Sequence, residues 1–419
     1  MSPPQSRMPR PRTDFLVIFA VLAVTGTTAG ALGPLLIVIR EEFGLTFAEI
    51  GLMFSAVSFA HLVANIPAGL TADRLPARVP IAAGGVGLGV GTLLMAAAPN
   101  YPFFLAGALA GGLGATFMST GGIAYIIANA DTRRRGRATS RVMSGVQVGA
   151  FIGPALSGAL AAAFDWRVAL IAPALMSFGI ALAVVPLVRR EASGRSETAA
   201  APFSLRDLRV PGIVVPIILL SMLLTGPLFG QRGVVLPLYA GDGLAFDPAA
   251  IGFAVAAMSG ARALLTFFSG NLMDRAGRGI AFYAMVLGAL GASLLLMLPV
   301  GIGPFVAAGT LTSLTGLGAV LPSVLIGDRA PKAYVGRSLG ALLTVGSLVQ
   351  LGVAPAAGWL LDIRGFDLVG GIMACIVGAA GIAGWWIVGD TPWNRRTLNP
   401  LEHDSDPPDD HVPLNRSGG

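Results

Sequence analysis

Two ionisable side chains, His61 and Arg262, lie within long apolar stretches of the sequence, where charge is rare. An imidazole titrates near neutral pH and can carry a proton, whereas a guanidinium keeps its charge and binds oxyanions through paired N–H bonds. A permanent charge in apolar surroundings is costly unless it faces a cavity or a partner. We therefore predict that Arg262 binds an anionic group of a substrate, and His61 is a candidate proton carrier.

Both side chains also have structural interpretations. Arg262 could bond to backbone carbonyls or to Thr266 one turn away and brace two helices, and a neutral His61 could bond to Asn65. The uncharged candidates for substrate binding are Asn65, Gln147 and Gln350, although the two glutamines could equally join neighbouring helices. Arg232 lies towards the outer end of its apolar stretch, where it could line an outer vestibule, although we expect it to extend to the membrane interface.

These residues belong to a chain that is too apolar for a soluble enzyme. Its 419 residues are 54% hydrophobic and 12% charged, with a mean hydropathy of +0.75. A bilayer core needs about 20 apolar residues per crossing. Twelve stretches meet this requirement: 14–38, 48–70, 80–98, 103–128, 138–162, 168–188, 212–237, 250–271, 279–299, 303–327, 338–361 and 368–388. A single cysteine, Cys375, also excludes a disulfide scaffold.

Lysine and arginine are concentrated at one end of these spans. With a cytoplasmic N-terminus, 23 of the 28 basic residues fall in cytoplasmic loops and tails. The positive-inside rule therefore predicts that both termini are cytoplasmic. The run from Arg133 to Arg137 could form a nucleic-acid patch, but a loop at an anionic membrane surface explains it. We expect no nucleic-acid partner.

The two halves of the chain are related by an internal repeat. A shift of 201 residues pairs Gly51 with Gly252, Asp73 with Asp274 and Pro154 with Pro355. The same shift makes His61 and Arg262 equivalent. Each lies eight residues before a repeated glycine, Gly69 or Gly270. Eight residues are about 12 Å of helix, so both side chains are predicted near the middle of the membrane.

Each half carries a copy of one loop motif. The copies consist of Gly69, Asp73, Arg74 and Arg78, and of Gly270, Asp274, Arg275 and Arg278. Two six-span halves with these loops resemble the major facilitator superfamily and its motif Gly-x-x-x-Asp-Arg-x-Gly-Arg-Arg, although Pro76 and Ala77 depart from it. The resemblance implies an all-α membrane fold of twelve helices in two pseudo-symmetric six-helix bundles. It also implies that these loops form a conformational latch and that substrate binds between the bundles.

The fifth span contains a further motif of small residues. Its members are Gly145, Gly149, Gly153, Pro154 and Gly158. Glycines at steps of four permit close helix packing, and the proline bends the helix. The pattern resembles the antiporter motif Gly-x-x-x-Gly-Pro-x-x-Gly-Gly of the drug/proton branch, with Ser157 replacing one glycine. This resemblance implies export, although generic helix packing would give a similar pattern.

The spans and the resemblance together predict the organisation of the chain. We expect a cytoplasmic tail over 1–13, a six-helix bundle over 14–188, a cytoplasmic connector over 189–210, a second bundle over 211–389 and a disordered cytoplasmic tail over 390–419.

The expected function is secondary transport across the cell membrane by a monomer that alternates access between its two sides. Export of a small organic compound or drug, coupled to protons or a counter-substrate, is the first hypothesis. Ala108 stands where proton-coupled relatives carry an arginine, so the proton would use His61 or travel on the substrate. No cofactor, metal or enzymatic activity is expected.

Two other functions remain open. One is uptake or exchange of a small anion bound by Arg262, similar to superfamily carriers of oxalate, monocarboxylates and nitrate that use an arginine in helix 8. The other is a receptor that keeps the fold without transport.

Overall fold

The protein is described by a computed structural model that covers residues 11–129, 135–188, 211–330 and 335–388. Within these residues, twelve helices are long and apolar enough to cross a membrane, which confirms the predicted fold class. We number them α1 (Asp14–Phe43), α2 (Phe47–Ala72), α3 (Arg78–Ala96), α4 (Tyr101–Ile126), α5 (Val142–Ala163), α6 (Trp166–Leu187), α7 (Val215–Gly243), α8 (Pro248–Gly270), α9 (Arg278–Leu295), α10 (Ile302–Arg329), α11 (Ser338–Arg364) and α12 (Phe366–Val388). Helical structure continues beyond α2 to Arg74 and beyond α8 to Ala276.

Helices α1 and α7 are longer than the sequence predicts. Each ends five or six residues after its predicted boundary, and each contains a segment that is not α-helical. In α1 this segment is the 3-10 turn Gly33–Leu35, and in α7 there are two π-helical segments, Gln231–Val235 and Tyr239–Gly243. These segments carry the helix through prolines and glycines that would otherwise indicate its end.

Parts of the predicted organisation lie outside the described residues. They are residues 1–10 of the N-terminal tail, the connector 189–210, the C-terminal tail 390–419, Arg133 and Arg134, and the side chains of Asp73 and Asp274. The first helix begins at Pro11, inside the predicted tail. The remaining domain boundaries stay predictions.

The two bundles, α1–α6 and α7–α12, meet along two helix pairs, α2 with α11 and α5 with α8. Both pairs pack backbone against backbone. A Cβ atom on Gly51 would lie 2.5 Å from the Cα of Pro355, and one on Gly252 would lie 2.4 Å from the carbonyl oxygen of Pro154. The repeat shift of 201 residues converts the first contact into the second, so the interface has pseudo-twofold symmetry.

The described close contacts of these helix pairs lie towards one end. We call the end that contains the start of α1 and the end of α12 the tail face, and the opposite end the far face. Gly69 and Gly270 lie five full helical turns from Gly51 and Gly252 and therefore on the same helix faces. No heavy atom of the residues that the structure describes lies within 4 Å of the position of a Cβ on Gly69 or Gly270. The described contacts thus join the bundles near the far face.

Candidate functional site

Arg262 lines a small cavity inside the second bundle together with a second arginine, Arg232. The cavity has a volume of about 10 Å³, which is the space for one water-sized group. It lies between α7, α8 and α10. The remaining lining residues are Leu236, Val255, Met258, Ser259, Thr312 and Ser313.

Two of the three helices around the cavity are irregular at this depth. Arg232 belongs to the π-helical segment Gln231–Val235 of α7. In α10 the α-helix Ile302–Ser313 ends at the cavity and a 3-10 segment, Leu314–Gly318, follows. Such interruptions at mid-membrane are typical of transporter binding sites, because they aim backbone and side chains at a shared space.

A glycine allows α10 to approach Arg262 closely. A Cβ atom on Gly316 would lie 2.4 Å from the carbonyl oxygen of Arg262 and 3.1 Å from its Cγ. Any larger residue at position 316 would push α10 away from α8. The 3-10 segment therefore holds one wall of the cavity against the stem of the arginine.

The charge of the site is not balanced by the protein. The ion pairs among the described residues are Arg40–Asp242, Arg167–Glu42 and Arg278–Asp328, and none involves the cavity. The Nε atom of Arg262 is buried without a hydrogen-bond partner within the described part of the chain. No aspartate or glutamate is among the residues that line the cavity. Two guanidinium groups therefore border one cavity without a counter-charge, and an anion that reached them would be strongly attracted.

Arg262 and Thr266 are hydrogen-bonded, but only through the backbone of Arg262. The Thr266 hydroxyl donates a hydrogen bond of 2.9 Å to the backbone carbonyl of Arg262, and the guanidinium takes no part in it. The bond fixes the helix and leaves the charged end of the side chain free for the cavity.

The structure corrects the expected position of Arg232. The sequence places it near the outer end of its span, with its charge at the interface. Because α7 continues to Gly243, Arg232 lies eleven residues, or about 16 Å, before the helix end. It therefore reaches the cavity at mid-membrane. The position of a charged residue inside an apolar stretch could have indicated this site. The predicted end of the span at residue 237 made Arg232 look too close to the membrane surface.

The other predicted binding residues do not line this cavity. His61 and Asn65 are half-buried in α2, Gln147 is half-buried in α5, and Gln350 is half-buried in α11. Among the described residues, His61 and Asn65 form no hydrogen bond with each other. These four residues lie on the helices of the bundle interface, and their role in binding stays a prediction.

Three arginines of the predicted latch motifs lie at the tail face without a described contact between the bundles. Arg74 and Arg275 are exposed, and Arg78 is half-buried at the start of α3. Arg278 pairs with Asp328 at the end of α10, with Nη1 and Oδ2 2.5 Å apart. The role of these residues as a latch stays a prediction, because the side chains of Asp73 and Asp274 lie outside the described residues.

The glycines of the α5 motif form the contact between α5 and α1. Cβ atoms on Gly145, Gly149 and Gly153 would lie 2.0 to 2.5 Å from the carbonyl oxygens of Phe19, Ala23 and Thr27. The motif therefore packs α5 directly on α1. Its last member, Gly158, faces Pro248 of α8 across the bundle interface.

Comparison with known proteins identifies a common family for this arrangement. The sequence model of the Major Facilitator Superfamily matches residues 18–242 and 232–414. The crystal structure of a D-xylose-proton symporter superposes with a TM-score of 0.73, covering 91% of this chain and 98% of that one. The two chains are 14% identical, so this likeness concerns the fold alone.

Curated relatives differ in the substrates that their names give. Multidrug resistance protein MdtG of Enterobacter lignolyticus is 25% identical over 315 residues, which cover 72% of this chain and 74% of the relative. A protein of Escherichia coli named "Probable L-galactonate transporter" is 26% identical over 158 residues, covering 37% of this chain and 34% of the relative. The first relatives are matched over only 34 to 38% of their own length.

Proposed function

Since the chain belongs to the major facilitator superfamily, we propose that it is a secondary transporter whose substrates carry an anionic group. The observation that supports this substrate class is the cavity lined by Arg232 and Arg262 without a carboxylate. Two guanidinium groups bind a carboxylate or another oxyanion with paired, charge-assisted hydrogen bonds. The relative named for L-galactonate, a carboxylate, agrees with this class.

Transport follows from alternating access around this site. Contacts between the bundles close the far face, and substrate would therefore enter this conformation from the tail face. Rocking of the bundles about the α2–α11 and α5–α8 contacts would expose the other side. An anion that neutralises the two arginines lowers the cost of the buried charge during this movement.

The remaining elements of the proposal concern orientation and coupling. We place both termini in the cytoplasm of a cell-membrane protein, because the basic loops lie at the tail face. Protons or a counter-substrate drive the cycle of a monomer. With no carboxylate beside Arg232 and Arg262, the proton would bind to His61 or enter with the substrate.

Uptake into vesicles tests the substrate class. The purified protein is reconstituted in liposomes, and entry of radiolabelled lactate and succinate is compared with entry of ethidium. We expect saturable anion flux, and Arg262→Gln should lower it at least about tenfold, because a charge-assisted hydrogen bond is lost. Arg364→Gln is the matched control, since Arg364 is exposed at the end of α11.

A second candidate function is export of neutral or cationic drugs. The α5 glycine motif and the similarity to MdtG favour it. In the same assay, ethidium flux that is unchanged in Arg262→Gln, without any anion flux in the wild type, would support drug export and assign Arg262 a structural role. Absence of flux for every compound would support a receptor.

A further inference from the structure

A buried hydrogen-bond chain fixes the proton positions on one wall of the cavity. Gln231, which is 1% exposed, precedes Arg232 in the π-helical segment of α7. Its side-chain amide joins the Oγ of Ser293 on α9 and the Oγ1 of Thr312 on α10, both at 3.3 Å. Ser293 in turn lies 2.8 Å from the carbonyl oxygen of Ala289.

The direction of each bond in this chain is determined by chemistry. A carbonyl can only accept, so the single hydroxyl proton of Ser293 goes to Ala289. Ser293 must then accept from Gln231, which orients the amide nitrogen towards Ser293 and the amide oxygen towards Thr312. Thr312 therefore donates its own proton to Gln231. Towards the cavity, Thr312 can only accept.

The hydroxyl proton of Ser313 is also directed away from the cavity. Its hydroxyl lies 3.0 Å from the carbonyl oxygen of Gly309 and 3.2 Å from that of Met258, so its proton is used on the backbone. One wall of the cavity thus offers oxygen lone pairs from Thr312 and Ser313. The other wall offers the N–H donors of Arg232 and Arg262, including the unpartnered Nε of Arg262, beside the hydroxyl of Ser259.

A hydroxyl group satisfies both walls at once, because it accepts from a guanidinium and donates to a threonine or serine oxygen. The cavity of about 10 Å³ holds one such group and no complete molecule. An oxyanion inserted there would face the lone pairs of Thr312 and Ser313. A hydroxyl alone would leave two positive charges without a counter-charge.

We infer that the substrates are hydroxylated organic anions, in which a hydroxyl enters the cavity between Arg262 and Thr312 while a neighbouring carboxylate meets the two guanidinium groups. This inference rests on the proposed anion transport and narrows it. Plain monocarboxylates would satisfy the charge and leave the hydroxyl subsite unfilled.

A graded set of carboxylates tests the subsite. Glycerate, lactate and propionate have three carbons and carry two, one and no hydroxyl groups, and D-gluconate serves as a larger hydroxylated anion. Binding to the purified full chain is measured by isothermal titration calorimetry. We expect each hydroxylated anion to bind about tenfold more tightly than propionate, the effect of one net hydrogen bond.

Variants of Thr312 test whether its Oγ1 atom causes the preference for hydroxylated anions. Thr312→Val should reduce the difference between lactate and propionate to about twofold or less, and Thr312→Ser should retain the difference. Thr310→Val is the matched control, because Thr310 is exposed on α10 and its hydroxyl donates to the Val306 carbonyl.

The outcomes separate this inference from the proposed function. Equal affinity for lactate and propionate would overturn the hydroxyl subsite and leave anion transport standing. Loss of propionate binding in Thr312→Val would also overturn it, because the residue would then support the site as a whole. Failure of all four anions to bind the wild type would overturn both proposals.

Discussion

Arg262 carries a charge that the empty protein does not stabilise. Its Nε atom is buried without a partner among the described residues, and Arg232 lies across the same cavity. The free-energy cost of burying a charge without a counter-charge exceeds the stabilisation that its packing contacts provide. Such residues are retained where a ligand supplies the missing partner, at some loss of stability in the empty state.

We predict that Arg262→Met stabilises the ligand-free protein. Methionine keeps most of the side-chain volume and removes the unpaired charge, so the gain should be about 1 to 3 kcal/mol. The measurement is the midpoint of thermal unfolding in detergent. The same variant should lose anion binding.

Arg329→Met is the control for this prediction. The Nη2 of Arg329 lies 2.5 Å from the carbonyl oxygen of Ile387 and joins α10 to α12. Removing that donor should lower the unfolding midpoint. If Arg262→Met lowered the midpoint as much as Arg329→Met, Arg262 would be a brace between helices.

At the scale of elements, the contact between α1 and α5 depends on residues without side chains. Gly149 is the tightest position, because its Cβ would lie 2.0 Å from the carbonyl oxygen of Ala23. That oxygen is backbone and cannot rotate away, so the helices themselves must separate to admit a side chain. The separation would extend along α5 to the bundle interface at Gly158.

We predict that Gly149→Ala destabilises the first bundle by about 1 to 3 kcal/mol, the usual cost of overpacking. The thermal unfolding midpoint and the yield of monodisperse protein measure it. Gly179→Ala in α6 is the matched control, since no heavy atom lies within 4 Å of its Cβ position. That control should be neutral or stabilising by up to about 1 kcal/mol, because alanine favours a helix. Equal behaviour of the two variants would contradict the packing role of the α5 motif.

The elements differ in how far the sequence could predict them. Twelve spans follow from hydropathy, because a bilayer demands long apolar helices whatever their packing. The π-helical segment at Arg232 and the 3-10 segment after Ser313 follow from contacts between helices, which no local pattern contains. The sequence therefore predicts Arg262 as a candidate and misses both the depth of Arg232 and the polar wall formed by Thr312 and Ser313.

At the scale of the whole molecule, two of the polar contacts between the bundles that the structure describes lie at the rim of the closed far face. Arg40 of α1 pairs with Asp242 of α7, with Nη1 and Oδ1 2.7 Å apart. Asp362, near the end of α11, accepts hydrogen bonds from the backbone amides of Phe47 and Ala48 at 3.0 and 2.9 Å. A carboxylate at the N-terminus of α2 also stabilises the helix dipole. Both contacts must break when the far face opens.

We predict that Asp362→Asn shifts the protein towards the state with an open far face. The amide keeps the shape of the side chain and loses the charge that both backbone N–H groups of α2 bind. The exposed position limits the loss to about 1 kcal/mol, which changes the ratio of the two states about fivefold. Spin labels on Phe164→Cys and Ile302→Cys, in a Cys375→Ser background, report the distance across the far face.

The comparison with Asp367→Asn separates a gate from a general effect of charge. Asp367 is exposed in the first turn of α12, close in sequence to Asp362. Its substitution should leave the distance distribution unchanged, whereas Asp362→Asn should add a longer distance. Because an anion at Arg232 and Arg262 favours rocking of the bundles, lactate should lengthen the distance further in the Asp362 variant. If both variants gave the wild-type distribution, Asp362 would only cap α2, and closure of the far face would depend on the glycine contacts at Gly51 and Gly252.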